Sequence, residues 1–154
     1  MADIALIYNN DTSRFDIALD GSDLQTDDGL RTAVLLSLFC DASAQGDEPQ
    51  MDQKDNHRGW WADQYAIITG ERFGSLLWLL DRSKRSDETA TLAKSYIETA
   101  LQWAVDDGVV ERVQVDVAWI SSTALAVAIA MRRPDGKVVD FRFDNLWDAI
   151  HAYL

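Results

Sequence analysis

Cysteine is almost missing from this chain: Cys40 is the only one in 154 residues, so no intrachain disulfide can form. A lone thiol in an apolar helical run is expected to be a buried free cysteine of a reducing compartment. Long apolar stretches are missing too, since none approaches the roughly 18 uninterrupted residues that suggest a membrane-spanning helix. The opening Met1-Ala2-Asp3 lacks a basic n-region, so neither a membrane span nor a signal peptide is expected. Positive charge is scarce: 14 Lys and Arg stand against 26 Asp and Glu, a formal net charge of −12. Such a field repels phosphate backbones and argues against a nucleic-acid partner, and its plain consequence is solubility. Histidine is limited to His57 and His151, with no spacing of His, Cys or carboxylates that would build a zinc site. His57 near Asp55 is the one place where a metal could bind incidentally.

Catalytic motifs are equally sparse. No G-x-S-x-G surrounds any serine, and the glycines near Gly70 are not followed by the Lys-Ser or Lys-Thr of a phosphate-binding loop. A glycosidase needs only two carboxylates, and Glu71, beside Gly70 and near aromatic residues, is the acid to test. Its bland reading is an ion pair with Arg72 or another arginine. No cofactor and no metal are expected, and the residues point away from an enzyme.

What is present is pattern. Hydrophobic residues make up 47% of the chain, and six Trp are among them, enough apolar surface to offset the entropy of ordering one domain. Val113, Val115, Val117 and Trp119 alternate with Gln114, Asp116 and Ala118, the period of a half-buried strand. Leu125, Val127, Ile129 and Met131 repeat it against Ala124, Ala126, Ala128 and Ala130. Val139, Phe141 and Phe143 follow the turn Arg133-Pro134-Asp135-Gly136, in which Pro presets φ and Gly accepts positive φ. Three such runs predict an antiparallel meander with one strongly apolar face, to be covered by helices upstream. The Ala-rich face from Ala124 to Ala130 suits close approach by another element or packing of a helix from the same fold.

Upstream, Ile4 to Tyr8 and Phe15 to Leu19 read as a hairpin joined around Asn9-Asn10-Asp11 and closed by Asp20-Gly21, a ribbon whose edges are open to pairing. A first helix is expected from near Asp27-Asp28 to Cys40, with Leu30, Val34, Leu35 and Leu38 on one face. The polar loop from Asp41 to Arg58, either mobile or gripped by a neighbour, ends at Gly59-Trp60-Trp61. Paired tryptophans there are core anchors or an exposed contact, and the usual burial of Trp favours the core. Gly70 to Ser75 predicts a tight turn into a short apolar helix, Leu76 to Leu80. Ser86 caps a second long helix that carries Asp87 and Glu88 in its first turn and stops at Gly108. Its stripe of Leu92, Tyr96, Ile97, Ala100, Leu101 and Ala104 is wide enough to lie on the sheet. Asp144 or Asn145 caps a last short helix with Leu146, Trp147, Ile150 and Tyr153, placed to dock on its own sheet or on a partner.

The expected fold is therefore α+β: about three C-terminal antiparallel strands packed by two main helices, with an N-terminal β-hairpin and a short C-terminal helix. One domain spans residues 1–154, with a hairpin arm over 1–26 and an α+β core over 27–154.

Several stretches in order carry a resemblance. They are Asp3-Ile4-Ala5-Leu6, Leu24 to Leu30 with Ala33-Val34-Leu35, Arg58-Gly59-Trp60-Trp61, and Phe73-Gly74-Ser75 with Leu77 to Leu80. Ala100 to Trp103 with Asp106-Asp107-Gly108, and Arg132 to Gly136 with Phe141 to Asp144, complete the set. In these the chain resembles, over nearly its whole length, the baseplate proteins of Mu-like phages and prophages, relatives of the lysozyme-like wedge family of contractile tails. The wider family has a Glu-Pro-Arg motif before its first sheet strand; here Val110-Glu111-Arg112 stands there, so Arg112 matches the Arg while the Pro is absent. The resemblance implies a structural protein of the virion tail, assembled in the host cytoplasm, joining wedge subunits to hub and sheath in several copies around a symmetric baseplate. It implies no nucleic-acid or membrane partner and no catalytic site. Glu111, Arg112, Glu71, Arg72, Trp60 and Trp61 are the residues expected to touch other proteins. A cell-wall hydrolase using Glu71 and a standalone acidic interaction module are the alternatives.

Overall fold

A computed structural model describes residues 3–27, 29–44, 58–65 and 72–152. Among them, in chain order, lie β1 (Asp3–Ile4), β2 (Leu6–Asn9), β3 (Arg14–Ile17), β4 (Leu19–Asp20), β5 (Asp23–Leu24), β6 (Thr26–Asp27) and α1 (Leu30–Phe39). Two 3-10 helices, Trp61–Tyr65 and Leu77–Arg82, precede α2 (Asp87–Asp106), β7 (Arg112–Trp119), β8 (Leu125–Arg132), β9 (Val138–Phe143) and α3 (Leu146–Ala152). The fold is α+β, as the patterns anticipate.

The meander forms with β8 in the middle. Val115 lies opposite Ile129, which in turn lies opposite Phe141, and Val127 is held between Val117 and Phe143. Leu125, Val127, Ile129, Met131 and Phe143 are buried on the face that the alternation assigns to the core. Each such side chain contributes about 1.5–3 kcal/mol on leaving water. The hairpin turn closes through Gly136 N–H to the Arg133 carbonyl at 2.9 Å, with Gly136 at φ 87.

Helix α2 runs antiparallel to β7. The Trp119 indole donates to the Ser86 carbonyl at one end, 2.9 Å, and Val110 N–H reaches the Ala104 carbonyl at the other, 2.9 Å. The Ser86 side chain accepts the Thr89 N–H at 3.3 Å, the expected cap. Ala93, Tyr96, Ile97, Ala100, Leu101 and Ala104 are buried beneath it. Helix α1 begins later than expected, with Gly29 at φ 85 in front of it and no acid in its first turn. Glycine supplies the left-handed turn that brings the chain into the helix, so Asp27 lies before it and the dipole argument does not apply there. The apolar Leu76–Leu80 stretch winds as a 3-10 helix displaced by a residue, not as an α-helix.

The N-terminal residues form more than one hairpin. Strands β2 and β3 pair around Asn9, whose side chain accepts the Asp11 and Thr12 N–H groups at 2.8 and 3.1 Å. The ribbon then splits: β4 folds back on β5 around Gly21, and β1 pairs with β6. The three short ribbons meet where Ala5 N–H donates to the Gln25 carbonyl and Gln25 N–H to the Ala18 carbonyl, both at 2.8 Å. Buried Ala5 leaves room for that junction. The β2–β3 hairpin lies against the rest of the fold, the Tyr8 ring meeting Phe143 edge-on at 4.7 Å and Phe15 lying 5.5 Å from Phe39.

Helix α3 docks on its own fold. Asn145 caps it by accepting the Asp148 N–H at 3.3 Å, and Leu146, Trp147, Ala149 and Ile150 are buried. The His151 ring lies 3.2 Å from the Asp81 carboxylate, tying α3 to the second 3-10 helix. Tyr153 lies outside the described residues.

Candidate functional site

The stretch after the polar loop is strapped to the end of α1. Ser75 N–H donates to the Cys40 carbonyl, the Ser75 carbonyl accepts the Ala42 N–H, and Ser75 Oγ donates to the Leu38 carbonyl, at 2.9, 2.9 and 2.6 Å. Arg72 reaches the Ser43 carbonyl at 2.6 Å, and the Arg58 guanidinium lies over the Trp78 ring while meeting Asp41 at 2.9 Å. Between this strap, α1 and α2 lies a groove of about 980 Å³, walled by Trp60, Phe73 and Trp103 and rimmed by Asp63, Asp106 and Asp107. Trp103 Nε1 donates to Ser37 Oγ at 3.0 Å, and Ser37 Oγ donates to the Ala33 carbonyl at 2.8 Å, so the groove floor is cross-linked between the helices.

The expectation that Trp60 and Trp61 are core anchors is overturned: they are 45% and 72% exposed. They lie with Phe73 and Tyr65 in a surface cluster, Trp60 being 5.2 Å from Phe73 and Trp61 6.4 Å from Tyr65 between ring centres. The local reason is the 3-10 turn Trp61–Tyr65, which buries none of its residues. Cys40 is likewise only partly buried, because it follows the last turn of α1. Its thiol pKa is raised by that burial and, secondarily, by the Asp41 charge. Glu88, fully exposed, has its carboxyl pKa lowered by its backbone hydrogen bond and by Ser86.

The two edges of the sheet differ. On β9 the Arg142 carbonyl accepts Asn10 Nδ2 and the Asp140 carbonyl accepts Arg31 Nη1, both at 3.2 Å, while Asp144 N–H donates to Asn10 Oδ1 at 2.7 Å. Side chains thus close that edge. On β7, Ile120 N–H bonds the Ala124 carbonyl, and alternation along an antiparallel ladder turns the backbone groups of Val113, Val115, Val117 and Trp119 outward. Among the described residues nothing bonds them. At the start of β7, Arg112 faces Arg132 across the ladder, and Arg132 leans to Glu111 at 3.8 Å. Both Glu111 and Arg112 are exposed and apart from the groove lining.

The sequence of the chain carries its kinship as well. A family model described as phage protein GP46 matches residues 30–138. Baseplate protein gp46 of Escherichia phage Mu is 38% identical over 150 residues, covering 97% of this chain and 100% of the relative. This chain belongs to the phage protein GP46 family. A Mu-like prophage FluMu protein gp46 of Haemophilus influenzae is 36% identical over 147 residues, covering 96% of this chain and 98% of the relative.

In this GP46 family member the matched stretch runs from the first residue of α1 to the first of β9, so it holds both the groove and β7. Trp60 and Arg72 share the groove, with Trp61 beside them, whereas Glu71 and His57 lie outside the described residues. The other five expected contact residues fall into two separate places. Helices bury the face of β8 opposite the alanines, leaving Ala128 exposed. Among the described residues no group of three or more His, Cys, Asp and Glu converges to hold a metal, and no helix is long and apolar enough to cross a membrane. Sequence reasoning missed Asn10 and Arg31 as edge guards, and Trp103, whose place off the apolar stripe of α2 was the available signal.

Proposed function

We propose that this chain is a structural component of a phage tail baseplate, joining wedge subunits to the hub and sheath during assembly. It would be present in several copies around the tail axis and would act through its surfaces, not through a reactive cleft. The relatives named as baseplate or Mu-like prophage gp46 proteins support the setting. The single observation that carries the joining role is the asymmetry of the sheet: β9 is closed by Asn10 and Arg31, while on β7 the outward backbone groups of Val113, Val117 and Trp119 have no partner among the described residues and only the central Val115 is buried. Unpaired outward groups along a strand are a template for a strand from another protein. Arg112 faces Arg132, whose charge is met by Glu111, so Arg112 is the cation of this pair that an acidic partner group could meet. The hydrolase and isolated-adaptor readings gain no specific observation.

The test is co-expression with the neighbouring baseplate gene products, with a photo-crosslinking residue placed at Gln114 or, as a control, at Glu98 on the exposed side of α2. Capture of a wedge, hub or sheath protein from Gln114 and not from Glu98 is expected. Capture confined to Glu98 overturns the placement.

A further inference from the structure

We propose that the groove between α1, α2 and the Trp60–Phe73 wall receives a short amphipathic helix of a partner protein, apolar on one face and basic at its flanks. The site is distinct from the β7 edge and needs no particular place in a tail. The α2 ridge along it, Ser95, Thr99, Gln102 and Asp106, covers eleven residue steps, about 16 Å at 1.5 Å per residue. That length matches three turns of a docked helix. Ser95 and Thr99 are small, so the groove stays open there, and a third helix is the element that fits between two packed ones. Ala33 and Leu36 form the apolar side from α1, and Trp60 and Phe73 the aromatic one.

Charge selects the occupant. Three aspartates, Asp63, Asp106 and Asp107, line the groove against one cation, Arg72, which is engaged at the Ser43 carbonyl. One Asp63 oxygen accepts the Phe73 N–H at 3.1 Å; the other is sealed from solvent without a hydrogen-bond partner. That oxygen is out of reach, so the acids that a Lys or Arg of the arriving helix meets are the exposed Asp106 and Asp107 at the end of α2. The whole chain is at −12, so a basic segment is also steered to it from a distance. The aromatic anchors and acidic rim are the recognition chemistry of helix-in-groove binding.

The experiment uses the full chain as bait against a displayed library of random 16-residue peptides, with enriched sequences resynthesised and titrated. The expected winners carry apolar residues at i, i+3 or i+4 and i+7 with Lys or Arg around them. Their affinity falls at least tenfold on Trp60→Ala and on the double change Asp106→Lys, Asp107→Lys. Both changes are at exposed positions, and unchanged thermal unfolding certifies the fold. Winners that are acidic, that lack helical spacing, or that bind Trp60→Ala equally well overturn the proposal, as does failure to enrich any sequence. Concentration-dependent self-association lost in Trp60→Ala would overturn it in favour of a second copy as occupant. Crosslinking at Gln114 reads a different surface, so its failure and the failure of this proposal are separable.

Discussion

Replacing Gly74 by alanine probes the strap that shapes the groove. Gly74 has φ +100, and a Cβ there would be driven into the Cys40 carbonyl oxygen and sit 2.9 Å from the Ala42 nitrogen. Those atoms belong to the Ser75–Cys40 and Ala42–Ser75 hydrogen bonds, so the backbone has to part where it is knitted. The left-handed conformation costs an L-residue about 1–2 kcal/mol. Forcing atoms into a filled site costs about 1–3 kcal/mol more. Gly136 provides the control: its φ is +87, yet nothing lies within 4 Å of the added carbon, so only the conformational part applies. Gly136→Ala is expected to lose about 1–2 kcal/mol and Gly74→Ala about 2–5 kcal/mol. In a chain of this length that difference separates the melting temperatures by several degrees, at about 2–4 °C per kcal/mol. Urea unfolding followed by tryptophan fluorescence, with the slope held common, measures both. If the two variants agree within about 0.5 kcal/mol, the close approach of the strap to α1 is wrong, and the groove loses one wall.

Trp147→Ala should cost about 3–5 kcal/mol by urea unfolding, because the side chain is buried, while exposed Trp60→Ala should stay within about 0.5 kcal/mol; equal losses would return Trp60 to the core. Removing the guards of the β9 edge with Asn10→Ala and Arg31→Ala frees the Arg142 and Asp140 carbonyls, so light scattering should report faster self-association than in the parent at matched temperature below unfolding. Burial, then the Asp41 charge, raises the Cys40 pKa above its ordinary 9.0, so the native thiol keeps its proton where the unfolded one loses it. That contribution is complete below the unfolded pKa and is lost as pH rises through the folded one, so the parent should lose more urea resistance than Cys40→Ser between neutral pH and pH values above 9.0. Parallel profiles would refute it.

The parts legible from sequence are those decided within one element. A strand that buries one face must alternate, and Val113 to Trp119 and Leu125 to Met131 do so whatever lies beneath them. A helix that starts in isolation needs its own cap, and Ser86 announces α2. The rest depends on what comes from elsewhere in the chain. Nothing local marks Ala5, Ala18 and Gln25 as the point where three ribbons part, because their hydrogen bonds join residues up to 20 positions apart. Trp60 and Trp61 look like core by type, yet they are exposed, because no other described element is laid over them. The candidate sites follow the same division. Arg112 could be picked out because it stands at the end of a legible strand, but the contrast between the two edges depends on Asn10 and Arg31, which bond β9 carbonyls 132 and 109 positions away in sequence. Alternation says which face of a sheet is buried and is silent about its edges, since a guarded edge and a bare one carry the same pattern. The contrast between two edges of one sheet exists only once the distant side chains have arrived.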